Sequence, residues 1–186
     1  MTLEEYERKK QEILYEKSKG VVKSQDNCIS YERCAKCKGD CCKHFPCAFA
    51  PEEFLNLQDK DYIRSLLETG LIIISPRKKH ILYIRPRGIY DPPRMVTNLV
   101  TEPNPCALLR ENGCILDHSF RPIGGLLTLP FCECEEYYEP KRITKDWSEY
   151  ANYMNLLAKQ CDNMYIERKN ITGEDVEKYK RLLLQL

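Results

Sequence analysis

Long apolar stretches are missing from this 186-residue chain: no run exceeds four residues, Leu71 to Ile74 being one such run. A helix that crosses a bilayer needs roughly 18 to 20, so no membrane partner is expected. An excess of one charge sign is missing too. Lys and Arg number 29 against 28 Asp and Glu, for a net charge of +1. Proteins that bind nucleic acid by neutralising many phosphates are strongly basic, and the balance here argues against that class. The opening MTLEEYERKKQE is charged throughout and lacks the apolar core of a signal peptide. No Gly-rich phosphate loop, HExxH or EF-hand pattern occurs, and no internal repeat or low-complexity tract is visible. Histidine is scarce, with only His44, His80 and His118; His44 can ligate a metal or support a ligand, though a turn residue is the better reading, His118 is less favoured still, and His80 is neither.

What the chain has instead is cysteine, 11 residues of it. A chain this long supports a core without covalent staples. A reducing cytoplasm is therefore the expected location, where clustered cysteines hold metal more often than they form disulfides. Six lie between Cys28 and Cys47 and four between Cys106 and Cys134, with Cys161 apart. Two cysteine-rich segments that share a site must meet in space.

The periodicities predict a mainly helical α+β protein with a small β-hairpin and cysteine-rich loops around a metal centre. One domain over 1–186 is expected, with a cysteine core over 28–134 that carries inserted helices and a hairpin (51–100). It is flanked by an N-terminal helix (1–20) and a C-terminal helical pair (146–186). Thr2 to Lys19 reads as a charged helix with a stripe of Leu3, Tyr6, Ile13 and Leu14, stopped at Gly20. Ala50 to Phe54 looks like a helix start, with Pro in the first turn. Asp59 to Thr69 forms the next helix, ending before Gly70. Leu71 to Ser75 and Lys79 to Arg85 read as a hairpin, followed by a proline-rich loop over 86–105. Spacings of three and four from Trp147 through Tyr150, Met154, Leu157 and Cys161 to Met164 predict one helix from about Asp146 to Arg168. Thr172 caps a last helix over Gly173 to Leu184.

The first cluster reads Cys34-Ala-Lys-Cys37-Lys-Gly-Asp-Cys41-Cys42. Two thiolates two residues apart can turn toward one ion, at the roughly 2.3 Å that zinc–sulfur bonds require. Adjacent side chains diverge by about 100° on a helix, so Cys41 and Cys42 point to different places unless the backbone loops. Lys36, Lys38 and Lys43 offset thiolate charge. Cys47 stands between ligand and packing roles, whereas Cys28 and Cys161 read as packing. In the second region Asn112-Gly113 signals a turn, which sets Cys106 and Cys114 at the two bases of a hairpin with sulfurs facing. Cys132 and Cys134, two apart, share one face of a strand. Arg121 can place its guanidinium near the thiolates. Arg77, Lys78, Lys79, Arg85, Arg87 and Arg94 gather on the hairpin, where a solvated face is the better reading.

Together these residues resemble the zinc- or iron-chelating CxxCxxCC domain family, also called YkgJ-like cysteine cluster proteins. The resemblance rests on Cys34, Cys37, Cys41 and Cys42, then Pro105-Cys106, Leu108, Gly113-Cys114 and Arg121-Pro122, over about half the chain. Three residues separate Cys37 from Cys41, and the family's cysteine shortly after Arg-Pro is replaced by Gly124-Gly125. Cys132 or Cys134 is expected to take its place. More distantly the cluster resembles that of flagellin lysine N-methylases, which implies a protein- or peptide-modifying enzyme using S-adenosylmethionine as the alternative activity.

The leading expectation is metal binding in a structural, redox or accessory role, with an iron–sulfur cluster, a [4Fe-4S] centre above all, ahead of Zn²⁺. Its ligands come from Cys34, Cys37, Cys41, Cys42, Cys47, Cys106, Cys114, Cys132 and Cys134. An unidentified protein or peptide partner fits this expectation. A zinc module that binds nucleic acid is the weaker alternative.

Overall fold

The computed structural model describes residues 1–18, 39–76, 81–98, 103–126, 141–167 and 170–186, apart from the side chains of 18, 41 and 141–144. Among these the chain is α+β and mainly helical. Helix α1 spans Leu3–Ser18. Its start is capped reciprocally: the Glu5 amide donates to Thr2 Oγ1 at 3.2 Å and the Thr2 amide to Glu5 Oε2 at 2.8 Å. The buried stripe is Tyr6, Lys10 and Leu14, four residues apart, while the expected Leu3 is exposed. A lysine in that stripe has no place in a pattern read from apolar residues alone.

The expected helix start at 50–54 is a short 3-10 helix, Pro51–Glu53. Helix α2, Lys60–Glu68, begins where Asp59 Oδ1 accepts from the amides of Asp61 (3.0 Å) and Tyr62 (3.1 Å). The chain turns away at Gly70, φ 75°. Strands β1 (Ile72–Pro76) and β2 (Leu82–Pro86) pair antiparallel, with Ile74 opposite Ile84; the connection at 77–80 lies outside the described residues. Both outer edges are covered. Ile74 exchanges bonds with Met95 (3.0 Å) and Thr97 (2.9 Å), and Phe49 donates to the Ile84 carbonyl at 3.1 Å. Buried on both faces, the hairpin has no polar alternation, which explains the unbroken Leu71–Ile74 run.

The helix expected over 146–168 is two. Helix α4 is Lys141–Glu149 and α5 is Ala151–Cys161, with α3 being the single turn Ile123–Leu126 before them. Tyr150 breaks the run at φ −100°, ψ 11°. Trp147, Met154, Leu157 and Cys161 still face the core, so the apolar period passes through the break and hides it. Met164 lies beyond the helix end, and its carbonyl accepts from Met95 at 3.3 Å. Helix α6, Gly173–Leu184, is capped by Thr172 as the sequence predicts, and the structure adds Asp175 as its reciprocal partner. Trp147 anchors the centre, donating from Nε1 to the Phe49 carbonyl at 2.7 Å. No helix among the described residues is long and apolar enough to cross a membrane.

Candidate metal centre

Gly39 opens the first cysteine segment at φ 76°, a conformation that costs a glycine little. It leads into a 3-10 helix, Asp40–Lys43, closed by the Cys42 amide on the Gly39 carbonyl at 2.8 Å. A Cβ at Gly39 would stand 2.5 Å from Leu109 Cδ1 and 4.0 Å from the Gly113 Cα. The turn that carries Cys41 and Cys42 therefore lies directly on the second cysteine segment. Two backbone bonds fix the contact: the Cys106 amide donates to the Cys42 carbonyl and the Asn104 amide to the His44 carbonyl, each at 2.8 Å. His44 itself is exposed.

The second segment folds as β3 (Leu109–Arg110) and β4 (Gly113–Cys114). Its register corrects the expected facing of Cys106 and Cys114: Leu109 is opposite Cys114 and Arg110 opposite Gly113. The turn is tighter than expected, using Glu111 and Asn112, while Gly113 takes φ 110°. Cys106 stands before the hairpin in a turn of its own, its carbonyl accepting from the Leu109 amide at 3.1 Å. At 5% exposure it is bridged to Gly88 and lies on the wall of an open cleft of about 850 Å³. Arg87, Ile89, Arg110, Ile166 and Lys178 also line that cleft.

Cys47 meets a different stretch. The Gly124 amide donates to the Ala48 carbonyl at 3.1 Å, and a Cβ on Gly125 would lie 3.5 Å from Cys47 Sγ. Cys34, Cys37, Cys132 and Cys134, like Cys28, lie outside the described residues, as does the Cys41 side chain. Cys161, 1% exposed on α5, is a core residue, and burial pushes its thiol pKa up. Arg121 directs its Nε to the Leu116 carbonyl at 3.0 Å, so its described contact braces the turn after Cys114. Among the described residues no three Cys, His, Asp or Glu side chains form a group able to hold a metal ion.

Two buried charge networks stand behind the cysteines, and periodicity reveals neither. Arg85 is 0% exposed. It grips Asp91 with both terminal nitrogens at 2.6 and 2.8 Å and lies over the Phe45 ring at 5.1 Å. Asp91 also accepts from the Gly88 amide at 2.6 Å and from Asn104 Nδ2 at 3.0 Å. Burial pushes the Asp91 carboxyl up, but Arg85, Gly88 and Asn104 outweigh it and hold the carboxyl below its usual range. The second network joins Lys10, 3% exposed, to Glu53, 1% exposed, at 2.6 Å. Glu53 also accepts from the Ala50 amide at 2.6 Å and the Ile123 amide at 3.0 Å, and Lys10 donates to the Arg121 carbonyl. Burial drives the Lys10 pKa down and the Glu53 pKa up, each opposed by the partner's charge.

The basic face expected around the hairpin loses members to these contacts. Arg85 is internal, Arg87 donates to the carbonyls of Gly70, Pro92 and Arg94, and Arg94 stacks on Tyr165 at 5.0 Å. Arg77, Lys78 and Lys79 lie outside the described residues. A signal for Arg85 exists in the sequence: a strand paired with an unbroken apolar run has both faces covered, so an arginine on it needs a carboxylate, and Asp91 is near in the chain. No family model matches the chain, and no curated protein or solved structure matches it.

Proposed function

We propose that the chain is a metal-binding cysteine protein, with an iron–sulfur cluster favoured over zinc, in a structural, redox or accessory role. The observation that carries this reading is the 2.8 Å bond from the Cys106 amide to the Cys42 carbonyl. It joins two cysteine-rich segments through residues 64 positions apart in the chain. The donor set is thiol-rich, which suits zinc and iron–sulfur centres and not hard, oxygen-seeking cations. Cys34, Cys37, Cys41, Cys42, Cys106 and Cys114 are the proposed ligands. Cys47, Cys132 and Cys134 are the further candidates. A bound zinc ion would cross-link the segments, and an iron–sulfur cluster would add one-electron chemistry.

Anaerobic purification with iron, zinc and acid-labile sulfide assays and a visible spectrum tests the reading. Broad absorption near roughly 400 nm with sulfide indicates iron–sulfur, and a colourless protein with stoichiometric zinc indicates the other metal. A protein that takes up neither metal removes the reading.

The cleft beside Cys106 favours a second reading, an enzyme that modifies a protein or peptide with S-adenosylmethionine bound next to the centre. Its volume of about 850 Å³ lies within the range of small-molecule sites. Addition of S-adenosylmethionine should then alter the electron paramagnetic resonance spectrum of the reduced protein; an unchanged spectrum removes this second reading.

A further inference from the structure

We infer that Asn104 is a positioning residue for the cysteine centre, setting the register between the Cys106 segment and Cys42–His44. The inference rests on the metal-binding reading for its purpose, but not for its geometry. Asn104 is 0% exposed and its polar groups are committed in three directions. Its amide reaches the His44 carbonyl at 2.8 Å, Nδ2 donates to Asp91 Oδ1 at 3.0 Å, and Oδ1 accepts from the Tyr90 amide at 3.0 Å.

Asp91 is held in turn by both terminal nitrogens of Arg85 and by the Gly88 amide. The side chain is also closely packed: a Cβ on Gly88 would fall 2.2 Å from Asn104 Oδ1, so this approach exists only because residue 88 is glycine. Two residues beyond Asn104, the Cys106 amide makes the bond to Cys42. Metal–sulfur bonds tolerate about 0.2 Å of error. A residue that fixes these backbones against an internal ion pair therefore governs how well their thiols meet one ion.

The test compares wild type with Asn104→Ala and Asn104→Ser, each metal-free and loaded anaerobically with zinc or with iron and sulfide. Trp147 emission and circular dichroism verify the fold, and Asn104→Ser, which retains a hydroxyl donor, covers the case in which alanine destabilises the chain too far. In metal-free protein, amide exchange at Cys106 should accelerate while that of Leu66 in α2 does not. In loaded protein, metal affinity in a chelator competition should fall about 10- to 100-fold, the usual effect of losing an outer support of a metal site. Unchanged Cys106 exchange in a folded variant overturns the positioning role. Accelerated exchange in a chain whose wild type takes up no metal upholds the positioning of the two segments and overturns the metal reading.

Discussion

Arg85 is a charge with no exposed surface. Taking a guanidinium out of water is offset only by a well-made partner, and removing that partner from a buried pair costs about 3–5 kcal/mol. Asp91→Asn should accordingly lower the unfolding free energy in urea by about that amount. A pH dependence follows from the same pair. The folded Asp91 carboxyl titrates below its ordinary value of 3.8, so its contribution is fully present above that value. It is lost as pH falls through the depressed folded value. Acid unfolding of wild type should therefore steepen below about pH 4, and Asp91→Asn should flatten that limb of the stability curve. Lys10 and Glu53 form a second test of the same physics. Lys10→Met and Glu53→Gln should each destabilise strongly, yet the double variant should lose less than their sum, because no lone charge is then left inside.

Elements in this chain are positioned by close approaches as much as by their own propensities. Gly39 combines a left-handed φ of 76° with a Cβ position 2.5 Å from Leu109 Cδ1. Gly39→Ala should cost about 1–2 kcal/mol from backbone strain alone, and it should weaken the contact between the Cys42 turn and the β3–β4 hairpin. Gly125 offers the opposite case. Its Cβ would lie 3.4 Å from Cys47 Cβ, close to the separation of a disulfide. Gly125→Cys should cross-link to Cys47 under mild oxidation, detected as a two-proton mass loss and a peptide linking the two positions. The Thr172 cap was legible because capping chemistry is local, and so were the approximate starts of α1 and α2, but not the capping roles of Thr2 and Asp59. The break at Tyr150 was not legible either, since the stripe from Trp147 to Cys161 keeps its phase across it. The contact between the cysteine segments was legible from their clustering, but the register was not. It depends on the turn at Glu111-Asn112 and on Asn104, whose partners are distant in sequence.

On the scale of the whole molecule, two internal ion pairs stand behind two different cysteine neighbourhoods. Arg85–Asp91, through Asn104, backs Cys42 and Cys106. Lys10–Glu53, through the Ala50 and Ile123 amides, backs the stretch where Cys47 meets Gly125. If a metal joins the segments, its binding free energy is part of the folding free energy, so stability and metal content should fall together only when a ligand is lost. Cys106→Ser and Cys161→Ser separate these quantities. Both residues are nearly inaccessible, at 5% and 1% exposure, so both substitutions bury a hydroxyl and are expected to cost about 1–3 kcal/mol. Cys161 lies on α5 among apolar neighbours, and its variant should melt at a lower temperature with metal content per chain unchanged. The Cys106 variant should lose metal as well, and chelator treatment, which lowers the melting temperature of wild type, should then shift it little. Melting curves of both variants with and without chelator, alongside metal assays on the same samples, read the difference. Equal metal content in the two would remove Cys106 from the ligand set.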